Sequence, residues 1–447
     1  MKKFFVSTGM VAIGAATLKC AAADDVISPK DWSVGATLRA FYDDNYNISS
    51  SSKGSFGIEF LPTVSLHVPL QQTDMGIKYT YGLYYYENRD EVGVNPFDQT
   101  HQVDLWVDHA FSERWHGKVT DTFAAGQEPE LLNPNPVTAN ATPYRVNGDN
   151  ISNHGAIALS TDWTRQFSSV LTYENNLYDY DNSGAMVVNN GSGPMIITPG
   201  GSGIGGASFA GLLDRVEENI ALDLKWHIQP ETTAFIGYQF SWINYTGNEP
   251  IAIIPFTTPT FNGVYHSSDR DNDSHYIYLG LEEEFTPNLT GMIRAGGTYM
   301  DVYADPLFPS TSWSPYADVS LSYTYTPGSY VQLGFTHDVN ATDQVQPNNA
   351  GQITQYSESS VVYLDVNHRF TPKLVATAIG RVQLSTFQGG LANNADETDY
   401  SVGLNLNYQI NPHLWVDLGY NYDNLVSDIV GATYTRNRVY LGLTANY

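Results

Sequence analysis

The chain has 447 residues, 13% of them aromatic and only 15% charged, and Asp+Glu 47 against Lys+Arg 21 gives a formal net charge of −26. That balance argues against nucleic acid as a partner. The charged fraction lies well below the ~25% of an average soluble domain, yet the mean hydropathy is only −0.27, so apolar residues must be interleaved with uncharged polar ones.

The first residues, "MKKFF", are basic, and an apolar core follows from Val6 to Leu18. Small residues at Ala21 and Ala23 then predict an export signal over residues 1–23, cleaved after Ala23. This leaves a single domain over residues 24–447. The rival reading, acylation of Cys20, conflicts with the bulky cation Lys19 directly before it. Cleavage after Ala23 removes the only cysteine, and with it any disulfide or thiolate chemistry. Beyond the signal no apolar run reaches the 18 or more residues of a membrane-spanning helix.

Alternation with period two then recurs along the chain. In residues 32–42 the apolar set is Trp32, Val34, Ala36, Leu38, Ala40 and Tyr42, with Ser33, Gly35, Thr37 and Arg39 between. Residues 56–70, 220–228, 400–410 and 414–422 repeat the pattern, and 434–447 ends it on Tyr447. Eight connections are tight, several carrying proline ("TPN", "TPGS", "TPK", "NPH"), which fixes φ and lacks a ladder donor. Nine are long and polar, and they alternate with the tight ones. Short turns at one end and long loops at the other predict an all-β fold, a transmembrane antiparallel up-and-down barrel. The connections give eighteen strands. Sixteen is the alternative, since residues 115–123 and 374–387 alternate weakly.

A lipid-embedded sheet leaves no edge unpaired, so residues 434–447 are expected to close on 32–42. Tyr447 then stands at the periplasmic interface, where a terminal aromatic resembles the signal read by outer-membrane assembly machinery. Two aromatic girdles are expected: Tyr84, Tyr85, Tyr86, Trp242, Tyr245 and Trp313 near long loops, and Phe111, Trp115, Trp226, Phe285, Tyr325 and Phe370 near tight turns.

The stretches "LLDRVEEN" (212–219), "SDRDNDSHYIYLGLEEEFTPNL" (268–289) and "RWHGKVTDTF" (114–123) resemble a family of bacterial outer-membrane β-barrel porins. The resemblance implies a porin-like barrel and supplies no catalytic residues.

Other chemistry is weak. "GSGIGG" (201–206) matches a dinucleotide-binding pattern but lacks the following helix. Asp269, Asp271 and Asp273 alternate like calcium ligands, yet Ser274 and Gly280 occupy the required Gly and Glu positions. No G-x-S-x-G exists. Neither enzymatic activity, a metal nor a cofactor is expected.

Charges facing lipid cost ~2–4 kcal/mol at the midplane, so charged strand residues should point inward. The predicted channel lining is Arg39, Glu59, Lys78, Asp104, Asp108, Asp223, Lys225, Arg294, Asp318, Asp365, Arg381, Asp417 and Arg438, joined by Lys118 and Glu282. Hairpin geometry suggests Asp365 with Arg381 and Glu282 with Arg294 as neutralising pairs. Barrel closure should make Arg39 and Arg438 neighbours, with an acidic loop or a bound anion against them. The sequence thus reads as a passive channel for small hydrophilic solutes or ions. Acid-rich loops favour mild cation selectivity, and the four arginines of the lining favour the opposite. A polysaccharide-export barrel and a non-conducting surface protein that binds partners through its loops are the alternatives.

Overall fold

The computed structural model describes residues 31–447 apart from 49, 93–94, 127–149, 181–184, 187–194, 197, 200–208, 255–257, 260, 346 and 430–431. The expected signal at 1–23 and the glycine motif at 201–206 lie outside the described residues.

Eighteen strands form one closed sheet. In chain order they are β1 (Trp32–Asp43), β2 (Ser55–Pro69), β3 (Thr73–Tyr86), β4 (Phe97–Ala110), β5 (Trp115–Gly126), β6 (Asn150–Asp162) and β7 (Phe167–Tyr180). Then come β8 (Arg215–His227), β9 (Thr232–Tyr245), β10 (Asn272–Thr286), β11 (Leu289–Val302), β12 (Ser310–Thr326) and β13 (Ser329–Asn340). β14 (Thr354–Thr371), β15 (Leu374–Gly389), β16 (Asp396–Asn411), β17 (Leu414–Ser427) and β18 (Tyr434–Asn446) complete the wall. Each strand pairs antiparallel with its sequence neighbours, so the topology is up-and-down throughout. Antiparallel neighbours need only tight turns, which is why eight connections can be so short. The Thr326–Ser329 turn shows the local chemistry: Pro327 presets φ, and Gly328 takes φ +78°, a conformation that costs glycine alone nothing.

Closure occurs where the alternation pointed. β1 and β18 run in register from Gly35–Asn446 to Asp43–Arg438, and the backbones of Val34 and Tyr447 exchange two further hydrogen bonds at 3.1 and 2.9 Å. The lipid band is apolar on both sides of this seam: Leu38, Leu441 and Leu443 are all about half exposed on the outside.

The periplasmic girdle contains Phe111, Trp115, Trp226, Phe285 and Phe370, all exposed on the outer face. Tyr325 is half buried and hydrogen-bonds His368 at 2.6 Å. The extracellular girdle differs from expectation. Trp313 faces out, and Tyr85 and Trp242 share its side by register. Tyr86 and Tyr245 are instead buried inside, and Tyr84 shares the inward face of Tyr86. Each of these two buried rings stacks on an arginine, Arg89 lying 3.8 Å over Tyr86 and Arg270 4.6 Å over Tyr245. A desolvated guanidinium over an aromatic face is worth about 2 kcal/mol, which favours the inward placement of these rings.

Tyr447 joins β18 to its surroundings at the periplasmic rim. Its ring lies 6.1 Å from Trp32 and 6.2 Å from His413. Tyr447→Asp is expected to lower the amount of folded, heat-modifiable barrel in outer membranes, since an interfacial aromatic becomes a charge beside the seam. Wild-type amounts of folded variant would remove the assembly role from this residue.

Candidate functional site: the lumen wall and its extracellular cap

All thirteen predicted lining residues lie on the inner face, the face opposite the exposed apolar rows. Glu59, Asp104, Asp223, Lys225, Arg294, Asp365 and Asp417 are buried there. Arg39, Lys78, Asp318, Arg381 and Arg438 are half-buried, and Asp108 is exposed near the periplasmic end of β4.

The strongest arrangement spans the seam. Arg39 Nη1 donates to Glu59 Oε1 at 3.2 Å, and its Nε donates to Asp417 Oδ2 at 2.7 Å. Asp417 belongs to β17, two strands away. The reach is open because Gly442 lies between them in register with both residues; a Cβ there would collide with Arg39 and Asp417. From β18, Arg438 Nη2 reaches the other oxygen of Glu59 at 3.3 Å, crossing 4.1 Å over the Phe41 ring. Glu59 therefore bridges both arginines. They are neighbours, as closure required, and wall carboxylates of β2 and β17 face them. Above them, Arg436 Nε donates to Asp43 Oδ2 at 2.8 Å, again across the seam.

On the opposite wall the expected pairs are replaced by others. Lys225 takes Glu282 at 2.8 Å. It crosses the Phe235 ring, which lies flat on Gly280 because a side chain there would collide with it. Arg294 faces Asp223 at 3.7 Å and stands in register with Asp318. Asp223 also accepts a 2.7 Å hydrogen bond from Tyr278. Asp365 accepts from Tyr330 at 3.1 Å, and Arg381 donates to Gln383. Lys225 and Arg39 each bridge to the second strand, over a flat ring and a glycine, which lies beyond the adjacent-strand reach of hairpin reasoning. Asp104 has neutral partners, Gln102 and Thr122. Lys78 stands in register with Asp104, and Lys118 with Asp108.

Some strand acids escaped the sequence reading because they lie on the outer face, Asp121 and Glu218 among them. Asp121 shares the parity of Trp115 on β5, and Glu218 that of Leu222 and Trp226 on β8. Asp121 accepts from Asn153 Nδ2 at 3.0 Å, and Glu218 accepts from the Tyr173 hydroxyl at 3.0 Å. Counting residues from Lys118 and Asp223 would have shown the parity.

Above β7–β14 the described parts of the loops fold together. Leu212, Leu213, Ile251, Ile254, Phe261, Tyr265, Val345 and Ile353 form a buried apolar core with Tyr180. Arg270, 1% exposed, ties two of these loops by donating to the carbonyls of Leu212 and Thr342. Asp305 accepts from the Leu307 and Phe308 amides, Tyr265 and Gln355. Asp269 and Asp271 accept backbone N–H groups of His266 and Tyr245, while Asp273 stands on β10, so the three do not converge as ligands.

Asp214 sits at the root of this cap, accepting from the Tyr180 amide at 2.8 Å. Burial pushes its carboxyl up to about 7; the Tyr180 N–H opposes this, Asp179 and Glu249 add to it, and Arg215 opposes. Asp269, Asp271 and Asp343 are raised too, each mainly by burial. A raised carboxyl favours the folded cap fully below the unfolded value near 4, and that advantage is lost as pH climbs through 7. Conductance is expected to be lower at pH 5 than at pH 8. Asp214→Asn keeps the hydrogen bond without the charge, and should shrink that difference in single-channel records. An unchanged pH response in this variant would exclude Asp214 as its source.

Residues 214–447 match the family described as "Putative beta-barrel porin 2". The chain belongs to this family. It is thus a porin-like β-barrel of the bacterial outer membrane. Among solved structures it is similar to Acinetobacter baumannii OccAB4, with 12% identity over 94% of this chain and 99% of that one, TM-score 0.40. It is similar also to the Pseudomonas aeruginosa outer membrane protein OpdK, with 11% identity over 93% and 99%, TM-score 0.44. The ferric enterobactin receptor of Pseudomonas aeruginosa gives 11% over 93% and 81%, TM-score 0.42. Identities and scores this low carry no solute over to this chain. No curated protein matches it.

Proposed function

We propose that this porin-family barrel is a passive channel for small hydrophilic solutes, mildly selective for cations, with the thirteen inner charges as its lining. Barrels of 16–18 strands leave an aqueous interior, and a wall carrying this many charges favours water inside. One observation carries the sign of the selectivity. Arg39, Arg294 and Arg438 each face wall carboxylates, whereas Asp104 and Asp365 have neutral partners. Three of the four inner arginines are thus compensated, and the acid excess of the chain sets the potential. The cap over β7–β14 narrows the mouth from that side. Reversal potentials across a KCl gradient in planar bilayers test this directly. Cation preference that fades toward 1 M salt, where the Debye length falls to ~3 Å, supports it. Anion preference at low salt, or no current from folded protein, overturns it.

A further inference from the structure

The inner charges of β3–β5 differ from those at the seam and on β8–β11. Lys78 and Lys118 are half-buried and Asp108 is exposed, and none of the three makes an ion pair or hydrogen bond with a described residue. Trp106 lies between them, on the inward face that Asp104 and Asp108 share. Its indole covers Gly76 of β3, where a Cβ would come within 2.1 Å of the ring. Its Nε1–H donates to Asp74 Oδ1 at 3.2 Å, and His67 Nε2 lies 2.9 Å from the same oxygen. The His67 ring stands 5.9 Å from the indole, tilted by 50°. A half-buried ring laid on a glycine and pinned at its nitrogen keeps one face on the wall and turns the other to the lumen.

The surroundings of that face select a ligand. Lys78 and Asp104 stand in register on its extracellular side, Asp108 and Lys118 on its periplasmic side. Each row is two residues from Trp106, about 7 Å at about 3.4 Å per residue. A six-membered ring lying on the indole therefore directs its substituents toward both rows. Each row holds one cation and one anion, so the four charges cancel. They offer no net field to an ion, but they place ammonium donors and carboxylate acceptors on both sides of a flat apolar surface. The matching solute is neutral, has a rigid face of C–H groups, and is ringed by hydroxyls that both donate and accept. C–H hydrogens carry the partial positive charge that an aromatic face attracts. A pyranose sugar combines these features, whereas an open-chain polyol has the hydroxyls without the rigid face.

We infer that Trp106 is the platform of a pyranose-binding subsite on the lumen wall, with Lys78, Lys118 and Asp108 as its hydroxyl partners. The inference rests on the reading of the barrel as a channel for small hydrophilic solutes, and names one class of them. In planar bilayers at high salt, where screening removes charge selectivity from the readout, glucose should lower single-channel current saturably. Sorbitol at equal concentration should not. Trp106→Ala should weaken the glucose effect at least about tenfold, and Trp106→Phe, which keeps a ring, should fall between. Gly76→Ala keeps the indole but lifts it from the wall, and should also weaken the effect; it replaces Trp106→Ala if that variant yields no folded barrel. Equal effects of glucose and sorbitol on the wild type, or an unchanged glucose effect in Trp106→Ala, overturn the subsite. If folded protein passes no current, the channel reading falls, and saturation-transfer NMR of glucose on the detergent-solubilised barrel decides the subsite. A signal lost in Trp106→Ala then supports it, and equal signals overturn it.

Discussion

Glu59→Gln combined with Asp417→Asn is expected to move the channel toward anions. In the wild type these two carboxylates compensate Arg39 and Arg438 at the seam. The amides keep the size of the wild-type side chains but one acceptor oxygen each, so Asp417→Asn can still accept from Arg39 and Glu59→Gln from one of its two arginines, while two negative charges disappear. Coulomb's law at water's dielectric puts one unit charge about 5 Å from a passing ion at about 0.8 kcal/mol, or about fourfold in local ion concentration. Each carboxylate removed should therefore lower the local cation concentration about fourfold, with the inverse gain for anions. Reversal potentials at 0.1 M KCl read the change, and raising salt should shrink it. An unchanged potential would mean that solutes pass along another wall, and the lining assigned to the seam would fall.

The single variants separate the parts. Glu59 touches both arginines, whereas Asp417 touches Arg39. Glu59→Gln should thus give the larger shift. Equal shifts would point to the general acidity of the barrel rather than to this bridge.

The barrel itself was legible because lipid imposes a simple rule on each strand. Every second residue of β1, β2, β16 and β18 had to be apolar, and loops of two lengths marked the two ends. The partners of inner charges were not legible in the same way. Arg39 finds Asp417 two strands away over Gly442, and Lys225 finds Glu282 over Phe235. Hairpin reasoning sees only adjacent strands, so it offered Asp365–Arg381 and Glu282–Arg294. Tyr86 and Tyr245 misled for another reason. Tyrosine suits an interface or a polar interior, and position near a loop does not decide between them. Their parity does: Tyr84 and Tyr86 share the face of Lys78 on β3. Asp121 and Glu218 were likewise readable by parity against Lys118 and Asp223, but a rule that sends every charge inward hides them.

Arg436→Leu is expected to give the largest loss of stability. Arg436 and Asp43 are 1% and 0% exposed, and they join β18 to β1 at the extracellular end of the closure. Leucine removes the cation and leaves the Asp43 carboxylate buried, held by the Asn45 amide at 3.0 Å. Breaking a buried pair from one side costs about 3–5 kcal/mol because the remaining charge is uncompensated. The loss falls on the one pairing that joins the two ends of the sheet, so the barrel should open there first. Heat-modifiability gels should show the folded band vanishing at a clearly lower temperature. Adding Asp43→Asn neutralises the stranded charge, and most of the loss should return. If the double variant is no better than Arg436→Leu alone, packing of the arginine stem over its neighbours, and not the ion pair, holds the seam closed.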